Sequence, residues 1–376
     1  QQQKSRLMKR VLTIVPYPYL PFFSGGQKLI AQFTSFLGEQ CVLHVAGTNN
    51  NDAALATNYT FHPVFINSQL RYADLFAFFR LKKIIKEQRI ETVIIEHPYL
   101  GWLGWMLKKS CGIKLVIHTH NVEYERFRTV GKSWWPLLKW YEGFVLRAAD
   151  TVFCISAEDR NRMIEQLHVS ASNCVLIPYG ITQTELPVDK VSSKQQVCVT
   201  HKLDPNALLL FFNGLLDYKP NTDAVRTIIE KINPLLKQSG LHYNILIAGK
   251  RLPHEFGELK QWNSEHIFFA GFVDDIDLYT KAADILLNPV NSGGGVKTKM
   301  IEALGLNTSV VATETGATGV DQMVCGQKLN IVKDGDWNAF VKSIATVAKA
   351  GRTDTPAAFY ATYNWTAVVT KALQHL

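Results

Sequence analysis

The sequence predicts an α/β protein built as two doubly wound parallel-sheet domains. Short apolar runs alternate with helical patterns in two successive series, and a polar stretch at 182–204 separates the series. The length, 376 residues, also exceeds what one hydrophobic core usually supports.

The first series is 10–15, 41–46, 92–96, 114–118, 151–155 and 174–178. These runs are apolar almost throughout rather than alternating, as expected of strands buried on both faces. The separating stretch holds Pro187, paired serines and paired glutamines, which suits a linker and a leading loop. The second series is 208–213, 243–248, 267–270, 285–288, 309–312 and 329–332. Two domains follow, 8–187 and 188–355, with a cleft between them. In such sheets ligands sit beyond the carboxyl ends of the strands, so a site is expected on the loops after Val15, Glu96, His118, Asn213, Ala248, Ala270 and Asn288.

The composition, 47% hydrophobic and 19% charged, is globular. The 40 Lys and Arg against 32 Asp and Glu leave a formal charge of +8, which favours anionic partners. The positive residues are scattered, with no basic run and no zinc-finger spacing, so a nucleic-acid partner is not expected. The six cysteines lie far apart with no CxxC pair and read as reduced core residues. No apolar stretch reaches the roughly 20 residues of a membrane span, and no apolar signal region opens the chain, so a cytoplasmic protein is expected. Met8, Lys9 and Arg10 lead into the first strand, and Gln1 to Arg6 is set apart as a tail outside the fold.

The densest chemistry lies at 288–313. There a strand runs into Gly293, Gly294 and Gly295, and then into a helix expected to carry Lys297, Lys299 and Glu302. Consecutive glycines let the backbone approach an anion, and the start of a helix offers it unpaired N–H groups. The spacing is neither that of a P-loop nor that of the dinucleotide fingerprint. Without further context, such a turn reads equally well as a tight connection.

The context is a series of motifs in fixed order. Phe212-Asn213-Gly214, Lys219-Pro220-Asn221, Ile247-Ala248-Gly249, Gly271 to Asp275, Ala283-Asp284, Asn288-Pro289, Gly293 to Gly295, Lys299, Glu302 to Gly305 and Val310 to Ala312 follow one another. Together they resemble the C-terminal half of the family 4 glycosyltransferases, retaining enzymes that use nucleotide sugars. Their GT-B fold has two facing Rossmann-like domains and an interdomain cleft. The first loop at 16–26 and the stretch from His120 to Tyr124 resemble the family's N-terminal half. The end of the chain, 356–376, resembles its closing helix, which returns to the first domain. One departure is plain: the family's Glu-x7-Glu motif has Gly294 here at its first position. Leu215 likewise stands where the family often has an arginine.

The resemblance implies the roles. Glu302 would take the nucleotide ribose and Lys299 the diphosphate, while His120 would lie beside the transferred sugar. Donor contacts are expected from Gly25, Gly26, Gly214, Lys219, Val273, Val296, Lys297 and the three glycines. His97, Tyr99 and Glu123 are candidates for the acceptor side. For each a plainer reading stands beside the functional one: a solvated charge for the lysines, a turn for Gly25 and Gly26, an apolar plug for His97 to Tyr99, a helix cap for Glu123. His118 and His120 share one strand face, but no third His, Cys or carboxylate is placed with them in the sequence, so a zinc site is not expected. Asp275-Ile276-Asp277 matches a bare Asp-x-Asp metal pattern, but it falls where acids cap a helix.

The implied reaction is metal-independent, retaining transfer of a sugar from a UDP or GDP sugar to a glycan or lipid-linked acceptor, with no cofactor. A nucleotide-sugar epimerase or a non-catalytic binding protein on the same fold are the alternatives. The 126–147 segment mixes Arg128, Lys132, Lys139 and Arg147 with Trp134, Trp135, Trp140 and Tyr141. That composition suits a peripheral segment resting on the anionic inner face of a membrane, or else a helix packed into the first domain.

Overall fold

All six apolar runs of the first series form strands of one parallel sheet. The computed structural model describes residues 8–351 and 353–376, and the tail at 1–6 lies outside them. In chain order the first sheet contains β1 (Arg10–Ile14), β2 (Val42–Thr48), β3 (Thr60–Phe65), β4 (Thr92–Glu96), β5 (Lys114–Thr119), β6 (Thr151–Cys154) and β7 (Cys174–Leu176). Their spatial order is β3-β2-β1-β4-β5-β6-β7. The sequence reading misses β3, whose half-exposed residues include Pro63; proline lacks the ladder N–H and belongs at a sheet edge, where β3 lies. The intervening helices are α1 (Gly25–Gln40), α2 (Leu75–Glu87), α3 (Gly101–Cys111), α4 (Glu123–Thr129), α5 (Trp135–Ala148) and α6 (Ala157–Leu167). Val93, Ile95, Leu115, Ile117 and Val152 from the strands meet Leu103, Leu107, Val145 and Leu146 from the helices in one buried cluster.

The stretch at 182–204 is not only a linker. It contains α7 (Lys190–His201), which buries Ser193, Val197 and Cys198. Its paired serines and glutamines mask a narrow apolar stripe at helical spacing, and packing against the second sheet's helices overrides the weak local preference. The second sheet follows with β8 (Leu208–Leu215), β9 (Tyr243–Lys250), β10 (Ile267–Gly271), β11 (Ile285–Asn288), β12 (Ser309–Thr313) and β13 (Leu329–Val332), in the order β10-β9-β8-β11-β12-β13. Its helices include α8 (Lys219–Thr227), α9 (Asn233–Gln238), α10 (Ile276–Ala282), α11 (Thr298–Gly305), α12 (Trp337–Ala350) and α13 (Ala357–Tyr363). The chain ends in α14 (Trp365–Leu373), which Asn364 caps by accepting from Thr366 N–H.

The chain divides into two units. One runs up to Gly180 and takes in Tyr363–Leu376; the other is Ile181–Thr362. Within the first unit α14 packs on α1 through Trp365, which stacks near Phe36 and donates its indole N–H to Gln32 Oε1 at 2.8 Å. Gly180 makes room for that indole: a Cβ there would lie 2.3 Å from Trp365 Cδ2.

Each sheet reverses direction once. In the first, the chain leaves β1 toward β2 and β3, then resumes on the other side with β4; in the second, the reversal falls between β8 and β11. Loops diverge at such a point and leave a crevice at the carboxyl ends of the strands.

Candidate active site

In the second unit the reversal between β8 and β11 gathers most of the expected donor residues. Strand β11 ends at Asn288, whose amide donates to Gly316 O at 2.8 Å. The glycine turn follows, with Gly293 and Gly295 at φ of 89° and 77°, a region that favours glycine. Gly293 also lies under Pro220 Cγ, 3.1 Å from where a Cβ would stand, whereas a Cβ on Gly294 would meet nothing within 4 Å. Helix α11 begins at Thr298, so Lys297 is its cap residue rather than a residue of the helix itself. Its ammonium folds back onto the carbonyls of Gly293, Gly294 and Gly295 at 2.8, 3.0 and 3.2 Å. Lys297 therefore shapes the turn.

Lys299 takes the other direction. Its Nζ donates to Asn213 O at the end of β8, at 3.1 Å, and lies 4.2 Å from the centre of the Phe212 ring. No carboxylate pairs with it among the described residues. Burial, and to a lesser extent the like charge of Lys297, lowers its pKa to about 7. Glu302 follows one turn later on the same helix face.

The remaining donor candidates are dispersed. Lys219 is 83% exposed and pairs with Asp223 on its own helix at 2.7 Å. The Val296 side chain fills the space beside Gly319, where a Cβ would approach it to 2.3 Å. Gly214 pairs in register with Gly249 and sits against Asn221. Past β10, a cavity of about 540 Å³ is walled by Lys250, Arg251, His254, Phe269 and Phe272, with the Lys250 ammonium 3.9 Å above the Phe272 ring. Val273 is outside that wall. Asp275 caps α10 by accepting from Leu278 N–H at 2.9 Å.

In the first unit the reversal between β1 and β4 gathers the acceptor-side candidates. His97 follows β4 at a φ of 64°, rarely adopted by residues other than glycine, which turns its ring into a polar cluster. His97 Nε2 is 2.7 Å from Tyr17 Oη, and His97 Nδ1 is 3.2 Å from Glu123 Oε1. Glu123 Oε2 accepts from Tyr99 Oη at 2.6 Å and from Arg126 Nε at 2.8 Å. Burial alone would raise the Glu123 carboxyl, but His97, Arg126 and Tyr99 outweigh it and hold the pKa at about 2. Glu123 also opens α4, where Glu142 accepts from the N–H groups of Glu123 and Tyr124, both at 2.9 Å. At the start of α1, Ser24 caps the helix just ahead of Gly25, and a Cβ on Gly26 would make only ordinary contact with Tyr17 Oη at 3.7 Å.

The expectation that no third ligand-type side chain joins His118 and His120 is wrong. Glu96, the last residue of β4, lies beside both: its Oε2 is 3.0 Å from His118 Nδ1 and 2.7 Å from His120 Nε2. The ligand-type atoms of these three buried residues lie within 4.8 Å of one another. The sequence separates Glu96 from the histidines by more than twenty positions, and only strand pairing, Glu96 opposite His118, unites them. The pairing also supplies the chemistry that holds the cluster, two N–H donors on one carboxylate. Burial would raise the Glu96 carboxyl, yet His118 and His120 hold it far below the usual range. His120 is pushed down to about 3, by burial first and by neighbouring His97 next, against the pull of Glu96.

Two family models match the chain in order, Glycosyltransferase Family 4 over 23–184 and Glycosyl transferases group 1 over 207–350. Among curated relatives, an Escherichia coli UDP-Gal:alpha-D-GlcNAc-diphosphoundecaprenol alpha-1,3-galactosyltransferase is 23% identical over 285 residues, covering 72% of this chain and 71% of that one. Among solved structures, sucrose-phosphate synthase from Thermosynechococcus elongatus matches with a TM-score of 0.72 at 17% identity, over 98% of each chain. Anabaena HepE in complex with UDP matches at 0.71 and 14% identity, over 97% of this chain and 99% of that one. Matched along both halves, and with the fold of these structures along nearly its whole length, the chain belongs to the family 4 glycosyltransferases of GT-B fold, in a form with Gly294 at the first position of the Glu-x7-Glu motif.

Proposed function

We propose that the protein transfers a sugar from a nucleoside diphosphate sugar to a hydroxyl of a lipid-linked saccharide, with retention of configuration and without a divalent metal. The observation that carries this reading is Lys299, a desolvated ammonium whose partners are a carbonyl and an aromatic face, with Glu302 one turn further on. A desolvated cation without a counter-charge is best stabilised by an anion it receives, and a diphosphate is such an anion. A carboxylate on the same helix face suits the two hydroxyls of a ribose.

The diphosphate gathers charge as its bond to the anomeric carbon breaks, so Lys299 stabilises the transition state more than the ground state. The acceptor oxygen attacks from the face the diphosphate leaves and gives its proton to a phosphate oxygen. His120 lies beside the sugar in this reading, and His97, Tyr99 and Glu123 serve the acceptor side. The name of the Escherichia coli relative, with UDP-galactose as donor and a diphosphoundecaprenol-linked acceptor, and the UDP bound to Anabaena HepE favour a UDP sugar.

A lipid-linked acceptor requires a membrane-facing surface. Helix α5 buries Leu138, Val145 and Leu146 yet leaves Leu137 67% and Trp140 66% exposed. Helix α2 exposes Phe76 (74%) and Phe79 (66%), and α3 packs against both helices. Exposed aromatic rings alongside Arg128, Lys132 and Lys139 suit the anionic inner leaflet, where the protein would bind peripherally. No helix among the described residues is long and apolar enough to cross a membrane.

Incubation with UDP, GDP and ADP sugars, reading nucleotide release with and without lipid-linked acceptors, tests the proposal. Acceptor-dependent release that Glu302→Ala abolishes supports it. An isomerised sugar nucleotide formed without acceptor would identify an epimerase. Nucleotide binding without release would favour a binding protein in which Gly294 marks a lost catalytic acid. Sedimentation with anionic vesicles, lost in Trp140→Glu, checks the membrane surface.

A further inference from the structure

His120 presents one ring nitrogen to Glu96 and leaves the other buried without a hydrogen bond. An ionised carboxylate has no proton to give, so the nitrogens facing Glu96, His120 Nε2 at 2.7 Å and His118 Nδ1 at 3.0 Å, each carry one. In a neutral imidazole the opposite nitrogen then bears the lone pair: Nδ1 in His120 and Nε2 in His118. Both are buried and unpaired. Their surroundings differ. His118 lies mid-face between the Phe33 and Phe153 rings, at 4.8 and 6.0 Å, an apolar setting that offers no partner. His120 lies just past the end of β5, its ring 4.0 Å from His97, in the polar cluster at the reversal point. The same device recurs there in completed form: Glu123 accepts from His97 Nδ1–H, and His97 Nε2 accepts from Tyr17 Oη at 2.7 Å.

We infer that Glu96 is a positioning residue that fixes His120 as its Nε2–H tautomer and so presents Nδ1 as a hydrogen-bond acceptor to a hydroxyl of the transferred sugar. A buried acceptor without a partner is costly, and a substrate hydroxyl removes that cost only when bound. The inference rests on the sugar-transfer reading for its ligand, while the tautomer is a property of the protein alone.

The test uses the full chain with 15N-labelled histidine, its signals assigned through His118→Asn and His120→Asn. Long-range proton–nitrogen spectra at neutral pH should show His120 protonated on Nε2. In Glu96→Gln the side chain offers one acceptor oxygen and one N–H2 donor, so one of the two histidines must change tautomer. The turnover number should then fall about tenfold to a hundredfold while the dissociation constant for UDP stays within about twofold, and Glu96→Asp should recover part of the loss. A wild-type His120 protonated on Nδ1 would overturn the inference, as would unchanged turnover in Glu96→Gln. So would micromolar zinc that moves both histidine signals to metal-bound values, which would make the cluster a metal site. A wild type that binds no nucleotide defeats the transfer reading and the sugar hydroxyl with it; the tautomer spectra identify which half failed.

Discussion

Raising the pH from about 6 to about 8 should weaken sugar-nucleotide binding roughly tenfold, through Lys299 alone. Burial, with the like charge of Lys297, brings this ammonium to a pKa of about 7, far below its ordinary value. It is then about nine-tenths charged near pH 6 and about one-tenth charged near pH 8. Both phosphates of a sugar nucleotide are esterified, so the ligand itself neither gains nor loses a proton in this range. If the diphosphate binds only the charged form, the apparent dissociation constant scales with the inverse of the charged fraction, and a tenfold change is about 1.4 kcal/mol. Near pH 7 each binding event should take up about half a proton, which calorimetry in buffers of different ionisation enthalpy measures directly. Lys299→Arg keeps its charge throughout and should bind with a flat pH profile. The sign is opposite for the unliganded fold: between about pH 7 and about pH 10.5 the unfolded chain holds a proton that the folded one has lost, so this group makes stability rise with pH. Equal affinity at both ends of the range, with no proton uptake, would refute the reasoning.

Other consequences concern folding. Gly293→Ala, at a φ of 89° and against Pro220, should cost about 1 kcal/mol or more, while Gly294→Ala and Gly294→Glu, in open space, should stay within about 0.5 kcal/mol; thermal melts separate them. Gly180→Ala drives a Cβ into the Trp365 ring and should cost about 1–3 kcal/mol in urea unfolding. Glu123, held at about 2, contributes stability that is present above the ordinary carboxylate pKa and lost as the pH falls from about 4.5 toward 2. Glu123→Gln should therefore be less stable at neutral pH and show a shallower acid decline in a series of melts.

What was legible in the sequence follows its periodicities. All the second-series runs and the six of the first are strands, because continuous Val, Ile and Leu runs have few other uses in a chain of this length. Strand β3 and helix α7 escaped because their apolar residues are sparse and their burial comes from neighbours distant in sequence. At the candidate site, Lys299 and Glu302 could be named because they share one helix with the glycine turn. Glu96 could not: its role depends on strands β4 and β5 pairing in one particular register, which no local pattern displays. Lys297 carried a visible charge, but not the fold-back that directs it to its own loop.

The two clusters also differ in how their charges are met, and the difference bears on what each can bind. In the first unit every buried acid at the reversal point has its donors in place: Glu96 has two histidines, and Glu123 has His97, Tyr99 and Arg126. Such a network is rigid and its donors are already committed to its own carboxylates, so it can select among hydroxyls by geometry but has little to offer an anion. In the second unit Lys299 meets, among the described residues, a carbonyl and a ring and no carboxylate. Its protonation stays costly until an anion arrives, so binding and charging are one event there.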